Sequence, residues 1–310
     1  MVTRLLIALT AVVGSHCPWH TPATEWPGDA SYSVAISRLN SALDCRSPVT
    51  GDGRAQPVLL VHGTGVSREQ NWGWSYWPAL DRAGFEVCWL TLPDASLNDM
   101  QISAEYVARA VEVMSRAGDE LVDVIGHSQG GLVPRWAIKY FPAGSRVDDY
   151  VGFASPNHGA LAADTATTER CFEACLQMRS DSAFLAALNS GDETPGTVSY
   201  TSIYTARDEL VRPVSTARLT GAANILIQSV CPGRPVEHAL LAGDAVTWEL
   251  TIDALTHPGP ADPARISRLA CFQLALPGAR ADFAGTTPDR SGARYPGWEP
   301  ELAEYARAPG

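Results

Sequence analysis

The chain has 310 residues, 45% of them apolar, and a formal net charge of −11. That apolar share suffices for one substantial core, and a single domain is expected over most of the length. With 34 acidic residues against 23 basic ones, no overall positive field attracts a phosphate backbone or anionic lipid headgroups, so nucleic acid is not an expected partner.

The N-terminus, MVTRLLIALTAVVGSHCPWH, carries one early charge at Arg4 and then an apolar run from Leu5 to Gly14. That run is too short to span a bilayer and reads as a secretory signal over 1–15, with the single domain at 16–310. No later segment approaches the roughly 20 apolar residues of a membrane helix. Seven cysteines in an exported chain point to disulfides, whose connectivity sequence does not fix. The working assignment pairs Cys45 with Cys88, Cys231 with Cys271 and Cys171 with Cys175, leaving Cys17 over. Neither C-x-x-C nor H-E-x-x-H occurs, so no catalytic metal is expected.

Residues 16–56 are rich in Pro, Ser and Gly and read as an extended lead-in. PVLLVHGTG (57–65) is a β-branched run closed by glycines, as in a buried strand entering a tight loop. A helix from about Trp77, stopped by Gly84, leads to a second strand, FEVCWLTLP (85–93). From Asn98 to Met114, apolar residues recur every three or four positions, with Asn98 or Asp99 placed to cap a helix that Gly118 ends. LVDVIG (121–126) is the next strand, followed by a glycine turn and a helical segment that Pro134 can kink. DYVGFASP (149–156) is a fourth strand. Residues from about 160 to 195 are mostly helical and form a candidate cap. TVSYTSIYTARD (197–208) and NILIQSVC (224–231) return to strand character, and the tail from 276 has no periodicity.

Strands alternating with helices predict an α/β fold, a mainly parallel sheet covered on both faces. Working loops in such sheets lie at the carboxyl ends of the strands. HGTG, GHSQG and SPNHG all fall there and should converge.

Gly126-His127-Ser128-Gln129-Gly130 fits G-x-S-x-G, which is weak evidence alone. Between a strand and a helix it gains meaning, because there the serine occupies a sharp turn with its hydroxyl exposed. A serine hydroxyl needs a base, and the base needs an orienting carboxylate; on this fold the chain order is Ser, acid, His. Of the histidines after Ser128, His158 comes too early to follow an acid and His257 precedes Pro258 in a loop. His238 follows a strand in a loop leading toward a helix and is the candidate base. Asp208, directly after a strand, is the candidate acid, with Glu209, Asp181 and Asp192 as competitors. The oxyanion donors are expected at the N–H of Gln129 and at Thr64 in HGTG, whose hydroxyl could add to its N–H. Trp72, Trp74, Tyr76 and Trp77 read as core rather than binding wall.

These residues, with the motifs LLVHGTG, CWLTLP, LNDMQISAEY, SQGGLVPRW, IYTARDELVRP and SVC…EHA in order over about 41–271, resemble the lipase B-like serine lipases and esterases of the α/β-hydrolase superfamily. The resemblance implies an α/β-hydrolase fold with a small helical cap. It also implies Ser128, Asp208 and His238 as catalytic triad, Thr64 and Gln129 as oxyanion hole, and the pairings Cys45–Cys88 and Cys231–Cys271. Fungal members read Trp-Ser-Gln-Gly where this chain has His127 before Ser128, and His62 stands in place of a proline.

The expected activity is secreted carboxylic-ester hydrolysis through an acyl-enzyme, without a cofactor. The alternatives are acyl transfer or polyester hydrolysis on the same triad, or a non-catalytic binding protein on the hydrolase scaffold. Expected partners are an ester or lipid substrate. No integral membrane association beyond a transient lipid-interface contact is expected, and the chain is expected to be a monomer.

Overall fold

The computed structural model describes residues 31–53, 55–280 and 290–307, so the signal segment and Cys17 lie outside the described residues. The sheet comprises β1 (Leu43–Cys45), β2 (Val58–Val61), β3 (Val87–Leu90), β4 (Val122–His127), β5 (Val147–Phe153), β6 (Ser199–Tyr204) and β7 (Ala223–Leu226). Their spatial order is β1-β3-β2-β4-β5-β6-β7, with β1 antiparallel to β3 and every other pair parallel. This is the α/β-hydrolase architecture the sequence predicts.

All four residues of β2 are buried, and the two-residue alternation of the strand divides them between two cores. Leu59 and Val61 join Val107 and Val111 of helix Met100–Gly118 and Trp136 of helix Gln129–Tyr140. Val58 and Leu60 join Tyr76 and Leu80 of helix Tyr76–Arg82 and Val246 and Leu250 of helix Ala245–Thr256. Helices on both faces explain why the strands read as continuous apolar runs. The buried aromatics Trp72, Trp74 and Tyr76 belong to the second core, as expected of them.

The long helix begins where its cap predicts: the Asp99 side chain accepts the Gln101 N–H at 2.9 Å. Gly118 is its last residue, and Asp119 supplies the left-handed end with φ of 53°. Elsewhere the structure corrects the sequence reading. The extended lead-in contains a helix, Ile36–Ala42, that delivers β1 to the sheet edge, and NILIQSVC is half strand and half helix, turning at Ile227. β1 escapes detection because it is three half-buried residues, positioned by pairing Cys45 opposite Cys88 rather than by a pattern of its own. The tail also has structure. Tyr305 accepts the indole N–H of Trp136 at 3.3 Å, and Gln101 bonds the backbone of Glu301 and Ala303.

The disulfides are Cys45–Cys88, Cys171–Cys175 and Cys231–Cys271, the three pairs assigned from sequence. The first and third close separations of 43 and 40 residues, where the chain-entropy account gives roughly 4 kcal/mol each.

At the amino ends of β4 and β5, Asp123, Asp148 and Asp149 bring carboxylate oxygens within 4.8 Å of one another. The Asp149 N–H donates to Asp123 Oδ1 at 3.2 Å, while Asp123 Oδ2 and Asp149 Oδ1 are buried without a hydrogen bond. Burial first, and then the charge of Asp148, pushes Asp149 up to about 8; burial and both neighbours push Asp123 up as well. The folded state therefore holds protons that the unfolded chain releases near pH 4, and stability falls as pH rises from about 4 toward 8. Asp149→Asn is expected to melt higher than wild type at pH 8. The gap, roughly 2–4 °C per kcal/mol gained, should close as the pH is lowered to about 4. A gap that is the same at both ends in differential scanning calorimetry contradicts this account.

Candidate active site

The strand order reverses at β2: the chain moves from it to β3 on one side and then to β4 on the other. Loops leaving the carboxyl ends of β2 and β4 thus diverge, and a crevice opens between them. HGTG follows β2 and GHSQG closes β4, so the sheet itself places Thr64 beside Ser128.

Ser128 adopts φ 58° and ψ −130°, a conformation that costs a non-glycine residue energy and is held by the parts around it. Its N–H donates to Phe153 O at 2.7 Å, and helix Gln129–Tyr140 starts at the next residue. The flanking glycines are steric requirements. A Cβ on Gly126 would sit 2.1 Å from Gly130 O, and one on Gly130 would sit 2.5 Å from Val61 O. Strand, sharp turn and helix are therefore packed too closely for any side chain at either position.

His238 is buried in the loop before the short helix Ala239–Gly243. Its Nδ1 lies 2.9 Å from Asp208 Oδ2, so the neutral ring donates from Nδ1 and keeps its Nε2 lone pair. Asp208 follows β6 and is buried. Its Oδ1 accepts the N–H groups of Leu210 at 2.9 Å and Val211 at 2.7 Å. Burial opposes ionisation of this carboxyl, but the His238 bond and charge and the two N–H donors outweigh it and hold Asp208 below the ordinary carboxylate range. Glu209, the adjacent competitor, accepts the His238 backbone N–H at 3.1 Å, fixing the loop rather than the ring.

The other competitors are engaged elsewhere. His158 pairs with Glu193 and His257 with Asp253, Asp181 pairs with Arg179, and Asp192 accepts the Thr194 N–H. Ser128, His238 and Thr64 line one cavity of about 490 Å³, walled mainly by aliphatic and aromatic side chains such as Leu97, Ala163, Phe172 and Met178.

At Thr64, expected from sequence as an oxyanion donor, the structure shows a competing side-chain bond. The Thr64 hydroxyl donates to the side-chain Oε1 of Gln129 at 2.5 Å, while the Gln129 amide donates to Ser96 O at 2.8 Å and Ser96 Oγ at 2.9 Å. Asp94, Ala95 and Ser96 all have positive φ, which turns Ser96 toward Gln129, and Ala95 O accepts the Gly65 N–H at 2.7 Å. Sequence reasoning missed Ser96, because nothing in PDAS marks three consecutive left-handed residues.

Asn71 was missed as well. Its Oδ1 accepts the Gly63 N–H at 3.0 Å and faces His127 Nδ1 at 3.1 Å, while His127 Nε2 faces His238 O at 3.1 Å. His127 thus sits between the loop carrying Thr64 and the loop carrying His238, and its neutral ring can donate to one of these two oxygens but not to both. Burial, reinforced by the neighbouring His238, lowers it to about 3 and keeps it neutral. Burial also lowers His62, to about 4; its Nε2 accepts the Leu92 N–H at 3.1 Å, pinning the turn after β2.

Residues 55–231 match the protein family described as Lipase (class 2). The chain is 28% identical to Lipase B of Pseudozyma antarctica, an alignment spanning 97% of this chain and 95% of that protein. Among solved structures it is similar to Aspergillus fumigatus lipase B, with a TM-score of 0.79 and 30% identity over 91% of this chain and 74% of that one. A Bacillus licheniformis lipase shares the fold, with a TM-score of 0.50 and 17% identity over 59% of this chain and 89% of that one.

Proposed function

Because the chain belongs to the class 2 lipase family, we propose that its carboxylic-ester hydrolysis runs through an acyl-enzyme on Ser128, with His238 as base and Asp208 as the group that orients it. The observation that carries this reading is the 2.9 Å contact between His238 Nδ1 and Asp208 Oδ2 behind a cavity that both His238 and the strained Ser128 line.

In the first half-reaction His238 Nε2 takes the Ser128 proton as Oγ bonds to the ester carbonyl carbon. The carbonyl oxygen gains a full negative charge, which the N–H groups of Gln129 and Thr64 stabilise. The C–O bond to the alcohol then breaks, and the alcohol leaves with the proton held by His238. Water repeats the sequence on the acyl-enzyme, giving the acid and restoring Ser128. Asp208 stays ionised throughout and favours the imidazolium that forms in each half. The Thr64 hydroxyl must rotate off Gln129 to reach the oxyanion, so the backbone N–H groups carry that role at the outset.

The same reading makes 16–310 one catalytic domain, with 160–195 as its cap, acting outside the cell. The disulfides favour an oxidising compartment. Among the described residues no helix is long and apolar enough to cross a membrane. A fluorophosphonate probe is expected to label the protein stoichiometrically, and peptide mapping to find the phosphonyl group on Ser128. Labelling on another residue, or none in protein that hydrolyses a p-nitrophenyl ester, rules the assignment out.

A further inference from the structure

Among the described residues, the charged side chains lining the cavity are of one sign. Carboxylates outnumber cations in the chain by 34 to 23, yet among the described residues the lining contains Arg170 and Arg290 and no Asp or Glu. Arg170 precedes Phe172 by two residues, and the Arg290 guanidinium lies 6.0 Å from the Phe172 ring centroid. The Cys171–Cys175 disulfide, which begins at the residue after Arg170, staples this part of the wall. Neither guanidinium has a carboxylate partner among the described residues. Glu173, the acid nearest in sequence to Phe172, is taken by Arg294 and by the Asp99 N–H. Two exposed guanidiniums, without a carboxylate partner among the described residues, thus border a mainly apolar cavity that holds Ser128.

Aliphatic walls suit a methylene chain, whereas a guanidinium offers a fork of N–H donors matched to carboxylate or phosphate oxygens. We propose that this cavity selects esters carrying an anionic group, carboxylate or phosphate, separated by an aliphatic segment from the carbonyl that Ser128 attacks. The inference rests on the Ser128 reading above. The anion takes no part in bond making: the Oγ–acyl bond forms as the alkoxy C–O bond breaks, and water then releases the acid. Because both arginines are exposed, their attraction for the anion is screened by salt.

The test compares kcat/KM for two matched pairs: mono-p-nitrophenyl suberate against p-nitrophenyl octanoate, and dihexanoyl phosphatidate against dihexanoylglycerol. The anionic member is expected to be preferred about tenfold in at least one pair, with the preference shrinking at about 0.5 M salt. In the Arg170→Gln/Arg290→Gln double variant it should collapse toward one, and in Arg290→Lys, which keeps the charge, it should be partly retained. Since each readout is a ratio, a general loss of activity cancels. Preference in the first pair identifies dicarboxylate half-esters, preference in the second phosphoglycerides, and in both an anion of either kind. A ratio near one in both pairs, or a preference that survives the double substitution, overturns the proposal. Ester hydrolysis that persists in Ser128→Ala overturns the underlying reading instead, and the two failures are distinguishable.

Discussion

Ser128→Ala is expected to lower kcat for a p-nitrophenyl ester by a factor on the order of 10⁴–10⁶ while the far-UV circular dichroism stays native. The residual rate should be that of cavity binding and the oxyanion N–H groups, which do not depend on Oγ. Such a loss corresponds to roughly 5–8 kcal/mol of transition-state stabilisation. It should come without a stability penalty, because alanine removes no packed group. The backbone strain at φ 58° is borne by the turn and not by the hydroxyl, and the Ser128 N–H keeps its bond to Phe153 O. A variant within tenfold of wild type makes Ser128 a structural turn residue.

Asp208→Asn should cost a factor of about 10³–10⁴ in kcat with KM little changed. The local bonds decide how the asparagine sits. Oδ1 accepts two backbone N–H groups, from Leu210 and Val211, so the amide oxygen takes that place and the NH₂ group turns toward His238. An N–H donor facing Nδ1 selects the tautomer with its hydrogen on Nε2, and a protonated Nε2 cannot accept the Ser128 proton. The defect is therefore one of tautomer and charge rather than of position. An NMR measurement of the His238 ring protons should find the hydrogen moved from Nδ1 to Nε2. An unchanged tautomer together with an unchanged rate would leave Asp208 with only the task of closing its own turn.

Much of this site is legible in sequence because its parts are tied to strand ends. Ser128, Asp208 and His238 each follow an apolar strand in the chain order expected of a triad on this fold, and Thr64 follows the strand next to the one that ends at Ser128. Their supports are not legible. Asn71 and Ser96 act through the backbone geometry of distant segments, and Ser96 depends on a left-handed run in residues that have no glycine. The helix Ala245–Thr256, foreseen only as a helix to which the His238 loop leads, has boundaries that the sequence obscures, since its β-branched residues Val246, Thr247, Thr251 and Ile252 also suit a strand. Its start is set by Asp244, which accepts the N–H groups of Val246 and Thr247, both at 2.9 Å. The same Asp244 is paired with buried Arg234, whose guanidinium also holds the carbonyls of Gln273 and Leu274. The loop bearing His238 is thus held by a buried ion pair that no spacing rule in the sequence announces.

The three-residue strand β1 has a consequence beyond fold description. A sheet of parallel strands ends in a row of free backbone donors and acceptors, and an exposed row of that kind can pair with the edge of another molecule. Here β1 occupies that row along β3 and is locked to it covalently through Cys45–Cys88. So short a strand offers little template of its own. The bond therefore acts as a guard against intermolecular β-pairing, and its loss exposes the chain to self-association as well as to unfolding.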